Sequence, residues 1–243
     1  MSTSTNFQRA RSEEQRAARR RAILDATAEM LTEMPVAQVT LNELSRRSGL
    51  AKSNVLRYFE SREDVLLELL ADAFREFTAE LDGVLAEAVD GAPPAERADR
   101  IAASLARALV GRPVLCDLIS AQAAVLERNV SPQVAARYKR AAVAAATAVA
   151  GRIAAHLPEL GEVDAFRFVA AAIMVTGAVW AHAHPSAAML AAYEADPSLA
   201  VLRLDFDDTL RDTLAVLLSG LLARGARGDR EAREAREVTP SGP

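Results

Sequence analysis

The 243 residues hold 33 Asp+Glu against 29 Lys+Arg, with 51% hydrophobic and 26% charged positions. That balance excludes a disordered polyelectrolyte, and the length allows one large domain or two smaller ones with a sizeable core. The single cysteine, Cys116, excludes an intramolecular disulfide and a cysteine-cluster metal site, and fits a reducing compartment.

Charge is divided unevenly. Residues 1–62 hold 11 Lys+Arg against 7 Asp+Glu, whereas residues 63–243 hold 18 against 26. A basic N-terminal quarter on an acidic body suits a head that faces nucleic acid, and suits equally a solvated charged face. All cations except Lys52 and Lys139 are arginine in an Ala-rich chain, so arginine content alone is weak evidence for phosphate binding. The N-terminus is polar and then basic, without the apolar run of a secretion signal. The longest uncharged stretch, 168–193, is apolar only over 168–181, short of the ~20 residues a membrane helix needs. It is expected to be a buried helix of a soluble, cytoplasmic protein with no membrane partner.

In chain order, every element reads as helical. Residues 1–15 form a basic flexible arm. Ser12 with Gln15 can make a capping box ahead of the Ile23, Leu24, Ala28 and Leu31 stripe, and Pro35 ends that helix. Thr40 with Glu43 is a second box, opening a short helix that stops near Gly49. A third helix is predicted over 52–59. Ser61 with Asp64 caps a long fourth, apolar at Val65, Leu66, Leu69, Leu70, Ala73, Phe74 and Phe77 and fading near Gly91. Further helices are predicted over 95–110, 114–128, 132–156, with Ser131 as N-cap and Pro132 at the first helical position, and 163–184. Residues 185–204 are irregular, with a short helix at 187–193. Asp205 with Asp208 caps the last helix, to about 224, and the Gly-, Arg- and Glu-rich residues 225–243 are expected to be disordered.

The informative segment is residues 39–62, VTLNELSRRSGLAKSNVLRYFESR. Leu41, Leu44, Leu50, Val55 and Phe59 can pack two short helices together, Ser45 is small where they cross, and Gly49 sits at the turn, where positive φ is wanted. Lys52, Ser53, Asn54, Arg57 and Tyr58 lie between the core positions and form a polar outward face. Entering a major groove requires such a face: donors for base edges and phosphates, with no bulky apolar residue in the way. The alternative is a short helical hairpin with a solvated face.

Residues 16–75 resemble the DNA-binding domain of the tetracycline-repressor (TetR/AcrR) family of bacterial transcriptional regulators. The resemblance rests on AILDATAEML, VTLNELSRRSGL and AKSNVLRYFESREDVLLELL, with Gly49, Lys52, Tyr58, Phe59, Arg62 and Glu63 where the family pattern expects them. Three positions depart from it. Ala51 stands where a capping Ser or Thr is frequent, Leu56 where a tyrosine commonly touches phosphate, and Asn54 where threonine is frequent.

The resemblance implies an all-α fold. A helix-turn-helix domain over 16–62 would precede a helical effector-binding and dimerisation domain over 63–224. It implies a homodimer on a near-palindromic duplex operator, acting as a repressor released by a small, largely apolar effector, with no cofactor. Lys52, Asn54 and Arg57 are expected at base edges, Ser53 beside them, and Thr40, Tyr58 and Arg62 at the backbone. Arm residues Arg9, Arg11, Arg16, Arg19, Arg20 and Arg21 would meet DNA, solvent, or Glu13 and Glu14. The dimer face is expected at Phe166, Ala170, Ile173 and Gly177 and at the Leu210, Leu214, Leu217 and Leu221 stripe, with intramolecular core as the alternative. Phe74, Phe77, Gln122, Met174 and Trp180 are the candidate effector lining.

No metal site is expected. His182 and His184, two apart, do not share a helix face, and they suit a helix C-terminus. Other function classes are an activator or effector-free regulator, an enzyme on a helical bundle, and a protein–protein adaptor. Paired carboxylates, a nucleophile with its base, a phosphate loop and a Glu-x-x-His pattern are absent from the sequence, which argues against the enzyme.

Overall fold

The computed structural model describes residues 3–86 and 91–238, with side chains described over 13–86 and 91–228. Its helices are α1 (Thr3–Glu33), α2 (Leu41–Arg47), α3 (Lys52–Val55), α4 (Arg62–Leu85), α5 (Pro94–Val110), α6 (Pro113–Ala121), α7 (Pro132–His156), α8 (Gly161–Ala183), α9 (Ala187–Ala195) and α10 (Phe206–Val238). No strand occurs among the described residues.

Local chemistry sets most starts. The side chains of Thr40, Ser61, Ser131 and Asp205 each accept the N–H three residues on, at 3.1, 3.1, 3.3 and 2.9 Å. Each satisfies one of the donors a helix leaves orphaned. The expected box at Ser12 does not form a boundary, because α1 begins at Thr3 and runs through it. The expected flexible arm is thus helical from Thr3, although the side chains of Arg9 and Arg11 lie outside the described ones. Pro35 stands two residues past the end of α1. At the other end, α10 continues to Val238 where a disordered tail was expected from 225; residues 239–243 lie outside the described ones.

The third helix is shorter than expected, yet its bonding continues: Leu56 N–H donates to Lys52 O and Phe59 N–H to Val55 O. Ala51 is its N-cap and supplies no side-chain acceptor. The predicted 114–128 helix changes pitch instead, with α6 followed by a π-helical stretch, Gln122–Leu126.

Contacts divide the chain into two compact units. The first takes the N-terminal residues to Phe74 together with Val114–Ala142; the second takes Arg75–Pro113 with the chain from Val143 onward. By contacts, segment 114–142 clusters with the N-terminal helices in the first unit. In the first unit the core includes Ile23, Met30, Val36, Leu44, Val55, Phe59, Leu66 and Leu70 with Leu115, Leu118, Leu126 and Val134. Polar links join the same parts. Val36 N–H donates to the Asp117 carboxylate (2.6 Å), Ser131 donates through N–H and hydroxyl to Glu60 (2.8 and 2.6 Å), and Arg137 pairs with Asp64.

In the second unit α10 packs on α5 and α8. Leu210, Leu214 and Leu218 are buried to 1% exposure or less, whereas Leu217 and Leu221 are half-buried. The inward line thus follows a four-residue step rather than the 4-3-4 stripe read from the sequence. Leu210 and Leu214, expected at a dimer face, belong to this intramolecular core. Beyond Arg167, α8 is apolar on more than one face, and Pro158–Ala183 is long and apolar enough to cross a membrane by length and composition. Ala165, Phe168, Val169, Thr176, Gly177 and Val179 are buried in the unit.

Two outcomes follow from this packing. In urea denaturation at fixed protein concentration, Leu218→Ala loses about 2–5 kcal/mol and Leu217→Ala loses less; equal losses would refute the four-residue line. Ala51→Ser supplies the missing cap of α3 and raises stability by about 1 kcal/mol; an unchanged midpoint would show that its exposed N–H groups gain nothing over water.

Candidate nucleic-acid interface

The turn between α2 and α3 is fixed by three features. Gly49 has φ +66°, where a β-carbon is strained even though the space beside it is open. The Ser45 hydroxyl donates to Leu50 O (2.5 Å), and Leu50 N–H donates back to Ser45 O (3.2 Å). Ser45 is therefore a staple of the turn as well as a small residue at a crossing.

Val55 and Phe59, four apart, are buried. This turns the opposite side of the α3 segment outward. Lys52, Ser53, Asn54 and Arg57 are exposed, Tyr58 is half-buried, and Leu56 adds an apolar patch at 45% exposure. The structure so brings together the expected base-edge residues. Thr40, exposed at the start of α2, accepts from Glu43 N–H and keeps its own hydroxyl hydrogen to donate.

Arg62 is different. It donates to Val36 O (2.6 Å) and lies 3.3 Å from the Glu63 carboxylate, and its buried Nε has no hydrogen-bond partner among the described residues. It holds the Val36 turn, which withdraws it from the outward set.

Other cations of the head are also engaged. Arg46 chelates Glu43, and Arg47 binds Glu33 and Glu43. The Arg46 hydrogen bond holds the Glu43 carboxyl below the usual carboxylate range, and Arg47 does the same for Glu33. Glu43 thus spends its side chain on arginines rather than on the second half of a capping box. Arg20 donates to Tyr58 O and Glu68 and lies 4.2 Å from the centre of the Phe59 ring, and Arg21 reaches Asp72 at 3.5 Å. Neither pairs with Glu13 or Glu14. Local sequence gave no sign of these partners, which lie 38 to 51 residues away.

The candidate effector residues fall in both units. Phe74 and Gln122 lie in the first unit; Gln122 donates to Glu127 at 2.7 Å. In the second unit Phe77 is buried beside the Arg112 guanidinium, and Trp180 packs on His184 and edge-on to Phe206. Met174 is 70% exposed. His184 ends α8, its N–H donating to Trp180 O.

The family model "Bacterial regulatory proteins, tetR family" matches residues 23–69, and "Tetracyclin repressor-like, C-terminal domain" matches residues 71–225. Among solved structures, a TetR transcriptional regulator from Rhodococcus sp. RHA1 is similar, at 16% identity and TM-score 0.53 over 85% of this chain and 96% of that one. A possible TetR family transcriptional regulator from Streptomyces coelicolor A3(2) is similar at 22% identity and TM-score 0.50, over 86% of this chain and 98% of that one. At such identities these structures speak for the fold. No curated protein matches the chain. The two family models together cover the helix-turn-helix and the helical body, and the chain belongs to the TetR family of bacterial DNA-binding transcriptional regulators.

Proposed function

We propose that the protein is a homodimeric repressor that binds a near-palindromic duplex operator and is released from it by a small, largely apolar effector. The observation that carries this reading is the outward side of α3. Lys52 and Arg57 are exposed there without an ion pair among the described residues, while Arg20, Arg46, Arg47 and Arg62 of the same head are engaged. Ser53 and Asn54 lie between them as further hydrogen-bonding groups. Arg57 and Lys52 suit guanine O6 and N7, Asn54 suits adenine, and Leu56 can meet a thymine methyl. Thr40 and Tyr58 position phosphates. Two such heads reach half-sites about 34–36 Å apart.

Dimerisation draws support from the apolar exposure left on the second unit. Val163, Phe166 and Met174 of α8 and Val216 of α10 are 66, 39, 70 and 71% exposed. Ala170 and Ile173 are half-buried on α8, and Leu217 and Leu221 on α10. Leu210, Leu214 and Gly177, already buried in one chain, back this face rather than form it. The effector is assigned to the C-terminal domain, with α4 as the lever to the head, and the protein acts in the cytoplasm on DNA as a regulator rather than a catalyst. A coupling of ~1–3 kcal/mol between effector and operator suffices.

Selection from a random duplex pool followed by footprinting tests the DNA reading. A palindromic site is expected, with Arg57→Ala losing about 1–3 kcal/mol at one base position per half-site and little affinity for random DNA. Binding that is blind to sequence would sink the specific-regulator reading. Sedimentation tests the assembly: the wild type runs as a dimer, and Met174→Glu with Val216→Glu runs as a folded monomer. A monomeric wild type at micromolar concentration would overturn it.

A further inference from the structure

Over residues 13–62, Arg20, Arg21, Arg46, Arg47 and Arg62 are held in ion pairs. Arg16, Arg19, Lys52 and Arg57 have none among the described residues. Three of these four line a single open groove of about 590 Å³, together with Gln15, Ala18 and Tyr58. Among the described residues no carboxylate lines it. Two walls meet there: α1, with Arg16 and Arg19 one turn apart on one face, and the end of the α3 segment, with Arg57 and Tyr58.

The junction of the walls is built rather than incidental. Arg20, beside Arg19 in sequence, donates to the Tyr58 carbonyl, packs over the Phe59 ring and pairs with Glu68. It ties α1 to the end of the α3 segment, the two elements that form the walls of the groove. Arg16 and Arg19 are exposed and spring from one continuous helix, which sets where their side chains start.

We infer that this groove seats a backbone phosphate of the bound duplex, making Arg16 and Arg19 of α1 a second, sequence-blind contact set. The inference rests on the proposed DNA reading, since Arg57 and Tyr58 belong to the segment that faces DNA there. Three guanidiniums around one open space repel one another, and each carries a planar donor fork matched to phosphate oxygens. The anion that docking delivers beside the groove entered by α3 is a phosphate of the same duplex. The contact fixes orientation and adds affinity, and it reads no base.

The test uses full-length protein and two probes. On a random-sequence duplex, log K against log salt is measured for wild type and for Arg16→Ala with Arg19→Ala. Each lost phosphate lowers the slope by ~0.9. A dimer with two grooves therefore loses ~2, so its affinity falls roughly tenfold less than the wild type's between 50 and 200 mM salt. Arg16→Lys with Arg19→Lys keeps the charge and restores most of the slope. On the selected operator, ethylation interference should show a phosphate in each half-site that matters to wild type and not to the alanine variant. Both substituted positions are exposed, so the thermal midpoint should not move. An alanine variant with the wild-type slope and interference pattern overturns the proposal. A reduced slope on random duplex with no operator selected leaves the groove standing and removes the specific-regulator reading, so the two failures are distinct.

Discussion

The head is organised by a row of carboxylates on α4. Asp64, Glu68 and Asp72 follow one another at four-residue steps and so share one face of the helix. Each receives an arginine from another element: Asp64 takes Arg137 of α7, Glu68 takes Arg20 of α1, and Asp72 takes Arg21 of α1. The three are unequal. Arg21 is 67% exposed and its pair is worth little in water, whereas the Asp64 side chain is 5% exposed and also accepts the Glu60 N–H. Removing Arg137 would leave Asp64 a poorly solvated charge, which is costlier than losing a surface pair. Arg20 is the pivot of the row. It joins α4 to the last residues of the α3 segment, so a shift of the first turns of α4 pulls on the Tyr58 carbonyl.

Ion pairing also decides where the positive potential of the head lies. A basic N-terminal quarter could spread its field over the whole surface. Here Arg46 and Arg47 are neutralised by Glu33 and Glu43, carboxyls that these same arginines keep ionised to lower pH than usual. Arg62 is committed to Val36 O and Glu63. Among the described cations of that quarter, those without an ion pair are Lys52 and the Arg16, Arg19 and Arg57 that line the groove. Net charge taken from composition gives the sign of a surface, and pairing gives its address.

The sequence made legible what is local. Caps at Thr40, Ser61, Ser131 and Asp205 operate over three residues, and their side chains form the bonds expected of them. The Gly49 turn and the buried pair Val55 and Phe59 were equally readable, and with them the outward set on α3. Ser12 misled because a capping residue marks a boundary only where the upstream chain is not itself helical, and α1 starts at Thr3. The long-range partners were illegible for another reason. Arg20 with Glu68, Asp117 with the Val36 N–H and Glu60 with Ser131 join residues 48, 81 and 71 apart, and nothing in the local pattern selects among many carboxylates. Those contacts also cluster residues 114–142 with the N-terminal helices.

α8 shows why periodicity alone overstates what it can assign. Its residues are apolar on more than one face, which demands burial on more than one side. One side is met within the chain, where Phe168, Val169, Gly177 and Val179 are buried and α10 packs against the helix. The α10 side of that contact uses Leu210, Leu214 and Leu218, so the leucines most visible in the sequence are consumed internally. The other side, Val163, Phe166, Ala170 and Met174, follows steps of three and four along one stripe and stays at least partly exposed. Such a stripe is costly in water at about 25 cal/mol for each Å² left uncovered. This α8 stripe, with Val216 of α10, is therefore a larger part of the apolar surface that the second unit leaves exposed than the buried leucines Leu210, Leu214 and Leu218.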